Sequence, residues 1–249
     1  MSNRLWPGLL VATILLSVAG LGTHQNALSS FRSDFAGRPV PTVRSTGKPL
    51  ARAVYLVVID GLGYRTAFSR EMPFLGKLRD QAAWGLMTVD PPTYSRPGYA
   101  RLLTGAPAEL TALTMNDQRR PAPVPTIFGL ASGSGLRAAA SAHVWVRDLA
   151  GDEPAGRTGR VAGRQIQRGY YYAGDDEPDG RVFAAARDLV RQYDPALLLV
   201  LPMSLDAAGH SAGTSSAAYR ESAAAVDAAL ADWHHSLPAR DGILIVTGD

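Results

Sequence analysis

The sequence predicts an α/β protein in which a mostly parallel sheet is sandwiched between helices. Two observations predict it. Val54-Tyr55-Leu56-Val57-Val58-Ile59, Ala196–Leu201 and Ile243-Leu244-Ile245-Val246 are short, continuous apolar runs, the pattern of strands buried on both faces. The segments between them carry apolar residues at helical spacing. Strands that alternate with helices imply parallel crossover units, with helices covering both faces of one sheet.

Ahead of this pattern, residues 5–22 read LWPGLLVATILLSVAGLG and hold no charge after Arg4. A basic start, an apolar stretch and the small residues Ser17-Val18-Ala19 match an export signal. The same 18 residues reach the lower limit for a spanning helix. Residues 1–24 are therefore assigned to a signal peptide or an uncleaved membrane anchor, between which the residues do not decide. Residues 25–50, with Ser, Thr, Gly and Pro, read as a linker. The chain is expected to be exported, either periplasmic or extracellular or anchored facing outward, with membrane association through residues 5–22.

Residues 51–249 read as one α/β domain. The run Val54–Ile59 ends at Asp60-Gly61-Leu62-Gly63, a natural turn. Phe74, Leu75 and Leu78 then recur at helical spacing. Trp84–Val89 is expected to form a second strand, Pro97–Leu103 to open a helix, and Leu136–Ala142 to form a short strand. Gly151–Gly180, which holds Tyr170-Tyr171-Tyr172 and Asp175-Asp176-Glu177, reads as an irregular insertion. Val182–Tyr193 is amphipathic, and the Ala-rich Tyr219–Trp233 is strongly helical.

Composition narrows the function. The net charge of +3 is carried by scattered arginines, with Lys48 and Lys77 the only lysines. No stripe or basic helix of the kind that tracks nucleic acid is present, so no nucleic-acid partner is expected. The local group Arg157, Arg160, Arg164 and Arg168 lies in a Gly-rich segment without periodicity and reads as a solvated loop. The absence of cysteine excludes disulfides and thiolate metal sites.

What the polar residues share is their place. Asp60, Asp206 and Asp249 each follow an apolar strand directly or within a few residues. Ligands of open α/β sheets bind at the carboxyl ends of the strands, so these acids are expected to converge there. His210 lies four residues after Asp206, between Gly209 and Gly213. Carboxylates together with imidazole suit zinc, and such a mixed set can hold two ions roughly 3.5–4 Å apart.

Four segments, in order, resemble the alkaline phosphatase superfamily, specifically its nucleotide pyrophosphatase/phosphodiesterase branch. Leu56–Gly61 resembles the first metal-binding strand. Pro92-Thr93-Tyr94-Ser95-Arg96-Pro97 with Leu102-Leu103-Thr104-Gly105 resembles the nucleophile segment. Asp206-Ala207-Ala208-Gly209-His210-Ser211-Ala212-Gly213 resembles the Asp-x-x-Gly-His-x-x-Gly metal motif, and Ile245–Asp249 the strand that leads into an Asp-His metal pair. The resemblance implies a hydrolase of small-molecule phosphoesters that uses two divalent metal ions, zinc by donor type. It implies Ser95 as nucleophile through a phosphoseryl intermediate. Asp60, Ser95 and Asp249 would bind one ion, and Asp206 and His210 the other. Beside the resemblance, Arg96 is the candidate substrate-binding cation, with a side chain that simply points into solvent as the equal alternative.

The resemblance also implies a ligand set that continues past residue 249 with histidines. Residues 51–249 are thus read as a partial alkaline-phosphatase-like catalytic domain, and the chain as the N-terminal part of a longer protein, incomplete at its C-terminus and weak or inactive by itself. Departures concern substrate. Gly98 stands where the branch has an Asn three residues after the nucleophile, and Leu205 where it has Pro. Tyr99 stands where sulfatases carry the Arg needed to make formylglycine, which argues against conversion of Ser95. Two alternatives stay open: a sulfatase-like ester hydrolase, and a catalytically inactive, membrane-anchored homologue that binds a phosphorylated ligand.

Overall fold

In a computed structural model, residue 11 and residues 13–23, 48–152, 158–238 and 241–249 are described. Residues 13–23 form helix α1, whose apolar side chains are exposed, Leu16 at 74%. The expected apolar helix over 5–22 thus has its second half within the described residues, and residues 5–10 and 12 lie outside them. Among the described residues no helix is long and apolar enough to cross a membrane.

The remaining elements follow in chain order: β1 (Ala53–Val58), α2 (Tyr64–Ala67), α3 (Pro73–Gln81), α4 (Ser95–Thr104), α5 (Ala108–Thr111), α6 (Ile127–Gly133), β2 (Ala138–His143), α7 (Val144–Ala150), β3 (Gly159–Val161), β4 (Arg168–Tyr172), α8 (Asp179–Tyr193), β5 (Leu197–Val200), α9 (Ser204–Ala212), α10 (Ala217–His235) and β6 (Gly242–Thr247). The described residues form a six-stranded sheet in the order β3-β4-β2-β5-β1-β6. Every pair is parallel except β3 with β4. This is the α/β sandwich that the apolar runs predict.

The packing follows from side-chain size. β2 reads Ala-Ala-Ala-Ser-Ala-His and is buried at every position, so its small side chains let α8 approach closely. Ser141 Oγ donates to the α8 carbonyl of Val182 at 2.7 Å. On α10, the fully buried Trp233 meets Tyr55 of β1 edge-on, with ring centroids 5.8 Å apart. Asp227 of the same helix accepts the backbone N–H groups of Phe74 and Leu75 at 2.8 and 3.0 Å. It thereby satisfies donors that the first turn of α3 leaves without intrahelical partners.

Two sequence expectations need correction. Trp84–Val89 forms no strand: its backbone has no hydrogen-bonded partner strand among the described residues, and Trp84 and Leu86 stay exposed. Gly151–Gly180 is not simply irregular, because Tyr170-Tyr171-Tyr172 lies in β4, parallel to β2. Aromatic strand formers outweigh the Gly-rich flanks once one face is buried against the sheet.

Candidate active site

Three strand ends are tied together. The N–H of Ile59 donates to Thr247 O at 2.9 Å, and that of Asp60 donates to Pro202 O at 3.1 Å. The residues that follow β1, β5 and β6 therefore emerge side by side. Asp60 is buried there, with 1% of its surface exposed. Gly61 takes a left-handed φ of 73°, and a Cβ at this position would lie 2.7 Å from Asp206 Cα. Only glycine fits both constraints. Its N–H donates to Asp249 Oδ1 at 3.1 Å, while its carbonyl accepts the Tyr219 hydroxyl at 2.7 Å. One residue thus touches the backbone of Asp206 and the side chain of Asp249, and α10 holds it in place.

Helix α4 delivers the hydroxyl. It starts at Ser95, two residues before the expected Pro97. Pro97 is tolerated because a first-turn residue needs no N–H. Ser95 is half-buried, and its Oγ donates to Asp60 Oδ1 at 3.3 Å. The Tyr99 hydroxyl donates to the other oxygen, Oδ2. Gly98 faces Asp249, since a Cβ there would stand 3.6 Å from the Asp249 Cβ. Asp206 and His210 lie one turn apart on α9, with Nε2 and Oδ1 at 3.5 Å; the His210 side chain is 83% exposed. Asp60, Ser95, Asp206, His210 and Asp249 thus come to one edge of the sheet.

Arg96 does not point there. Its side chain has no exposed surface. The guanidinium donates to Gln118 O at 2.9 Å, lies 3.4 Å from Asp148 Oδ2, and stacks over the Trp145 ring at 5.1 Å. The expected substrate contact is replaced by a buried ion pair that anchors α4 to α7. Asn116 was not expected at all. Its Oδ1 accepts the N–H of Arg96 at 2.9 Å, which places its amide group beside the first turn that carries Ser95.

The electrostatics are those of crowded carboxylates. Burial, then the charge of Asp249, pushes Asp60 well above the ordinary value of 3.8, with Asp206 adding to the effect and Tyr99 opposing it. Burial also raises Asp206; His210 opposes this, while Asp249 and Asp175 add to it. A divalent cation at this edge would offset the repulsion, so the oxygen and imidazole donors fit one chemically. Among the described residues, however, no three His, Asp or Glu side chains lie close enough as placed to hold one ion.

Residues 54–249 match the profile of the family described as type I phosphodiesterase/nucleotide pyrophosphatase. The chain belongs to that family. No curated protein matches it in sequence, but solved structures share its fold. Murine ectonucleotide pyrophosphatase/phosphodiesterase 5, in an inactive form complexed with AMP, matches with a TM-score of 0.58 and 18% identity over 80% of this chain and 56% of its own. Phosphonoacetate hydrolase from Sinorhizobium meliloti, complexed with phosphonoacetate, matches with a TM-score of 0.57 and 20% identity over 82% and 58%. The C-terminal periplasmic domain of EcEptC from Escherichia coli matches with a TM-score of 0.50 and 13% identity over 82% and 65%. This member of the phosphodiesterase family spans little more than half the length of the first two. Their likeness shows a shared fold, and the family membership rests on the profile match over residues 54–249.

Proposed function

We propose that the chain carries the nucleophile half of a phosphoester hydrolase active site, with Ser95 as the nucleophile and a small-molecule phosphoester as substrate. The observation that carries the reading is the placement of Ser95. A hydroxyl on the first turn of a helix donates to a buried carboxylate, at the edge where Asp206 and Asp249 also emerge. Asp60, Ser95 and Asp249 would hold one divalent ion, and Asp206 with His210 a second. Zinc bound there would lower the pKa of the hydroxyl and neutralise phosphoryl charge.

The chain's own residues do the rest. Asp60 accepts the Ser95 proton as the Ser95 oxygen bonds to phosphorus, and that proton passes to the leaving oxygen as its bond to phosphorus breaks and the alcohol departs. Water then cleaves the phosphoseryl ester, releasing phosphate or its monoester and restoring the serine. The Asn116 amide nitrogen is a donor for a phosphoryl oxygen, and the dipole of α4 favours negative charge at its first turn. Arg96 serves by fixing α4 rather than by touching substrate. AMP and phosphonoacetate, bound by the two solved relatives, are small phosphorus-bearing anions, and the same class suits this cleft. The exposed apolar α1 supports export.

Ser95→Ala, introduced into the whole protein, tests the reading. Hydrolysis of bis- and mono-p-nitrophenyl phosphate should fall by at least about 1000-fold, as removal of a covalent nucleophile does, while bound zinc stays largely unchanged. Full turnover in the variant would end the assignment, and turnover of a sulfate ester alone would favour the sulfatase alternative. The inactive, ligand-binding homologue draws support from His210, whose side chain is 83% exposed. Metal content separates the two, because a binding relic has no need of bound zinc.

A further inference from the structure

Helix α4 turns two side chains toward one carboxylate. Ser95 and Tyr99 are four residues apart, a spacing that stacks them on the same helix face. Each donates to a different oxygen of Asp60: Ser95 to Oδ1 at 3.3 Å, Tyr99 to Oδ2. A carboxylate held by one oxygen still swings about its Cβ–Cγ bond, whereas one held by both has a fixed plane. Tyr99 itself has little freedom. It is 1% exposed, and its ring packs beside Trp145, whose own ring lies under the Arg96 guanidinium. The buried ion pair, the tryptophan and the phenol form a continuous support behind Asp60.

We propose that Tyr99 is a positioning residue: its hydroxyl clamps one oxygen of Asp60 so that the other stays aimed at Ser95 and at the cation Asp60 would hold. This rests on the reading of Asp60 as a metal ligand. Tyr99 does not touch substrate, because its hydroxyl is enclosed in the core and engaged by Asp60. Partners of this kind fix the geometry of a ligating side chain, and their loss commonly costs roughly 10–100-fold in metal affinity or activity.

The test uses the whole protein and zinc, with affinity measured by competition against a chromogenic chelator. Tyr99→Phe keeps the ring and removes only the hydroxyl. It should weaken zinc binding by roughly 10–100-fold and lower kcat while leaving KM for bis-p-nitrophenyl phosphate unchanged. Tyr171→Phe is the control. It removes a similarly buried hydroxyl that has no hydrogen-bond partner among the described residues, and it should leave zinc affinity as in the wild type. Unchanged affinity in Tyr99→Phe, or an equal loss in Tyr171→Phe, overturns the clamp and leaves the functional reading standing. A wild-type protein that binds no zinc overturns both.

Discussion

β5 and β6 both pair with β1 in parallel, yet they live in different surroundings. In one row of the sheet, Leu56 of β1 stands between Leu199 of β5 and Ile245 of β6. Leu199 is 1% exposed and Ile245 is 44% exposed. Beyond β5 lies β2, but beyond β6 no strand is paired among the described residues. Instead an apolar groove of about 930 Å³ runs along β6, with Leu62, Tyr64, Phe68, Trp84, Ile243 and Asp249 among its lining residues. The candidate site straddles this divide. Asp60 and Tyr99 are fixed within the finished half, whereas Asp249 is carried by the open strand. Precision at the nucleophile thus comes from a packed core, while the second carboxylate depends on a strand with one free flank.

The row itself gives the largest expected effect. Leu199→Ala removes a side chain enclosed on all sides and should cost about 2–5 kcal/mol, because the surrounding sheet relaxes only in part around the cavity. Urea unfolding followed by circular dichroism measures it. A cost below about 1 kcal/mol would mean that the β5 flank is looser than its burial implies, and the contrast would collapse.

Gly61→Ala comes next, because Gly61 joins the two halves. Its positive φ and the 2.7 Å approach to Asp206 Cα leave no place for a methyl group. Backbone strain of this kind costs about 1–3 kcal/mol, and relief requires Asp206 or Asp249 to shift. Loss of stability should therefore come with loss of zinc binding. Lower stability with unaltered zinc affinity would separate the turn from the site.

Much of this was legible in the sequence, and the failures have physical causes. β1 and β6 announce themselves because continuous apolar runs have few other solutions, and Asp60, Asp206 and Asp249 stand out because each follows such a run directly or within a few residues. Arg96 was misjudged because neighbouring helical residues point about 100° apart: if Ser95 faces the cleft, Arg96 turns away from it. The same geometry offered a signal for Tyr99, one turn after Ser95 on its face. Asn116 gave none, since it sits in a polar loop whose approach to α4 is set by tertiary packing alone. Trp84–Val89 has the composition of a strand, but a strand exists only with a partner to bond.

Asp60→Asn is expected to move stability the other way. Burial and the neighbouring carboxylates hold the Asp60 carboxyl well above its ordinary 3.8. The folded state therefore binds a proton more tightly than the unfolded chain does. Metal-free stability is full below that ordinary value and falls as pH rises through the raised one. Removing the charge should raise the neutral-pH Tm of the metal-free protein by a few degrees, about 2–4 °C for each kcal/mol gained, while abolishing hydrolysis. A lower Tm would show that the carboxylate's hydrogen bonds to Ser95 and Tyr99 outweigh its repulsion.

The smallest effect is expected at the other end of the row. Ile245→Ala removes a side chain that already meets solvent over nearly half its surface, so less apolar area returns to water and little cavity forms. At roughly 25 cal/mol per Å² for the area still buried, the cost should stay near 1 kcal/mol, well under that of Leu199→Ala. Hydrogen exchange gives a second view of the same edge. In a parallel strand, alternate residues direct their backbone groups to opposite sides, so only half of the β6 amides are bonded to β1. Those facing the groove should exchange many-fold faster than the amides of β5, which is paired on both sides. If Ile245→Ala proved as costly as Leu199→Ala and the outer β6 amides were protected, the open flank would be covered in solution. Asp249 would then be held as firmly as Asp60, and the difference between the two halves of the site would disappear.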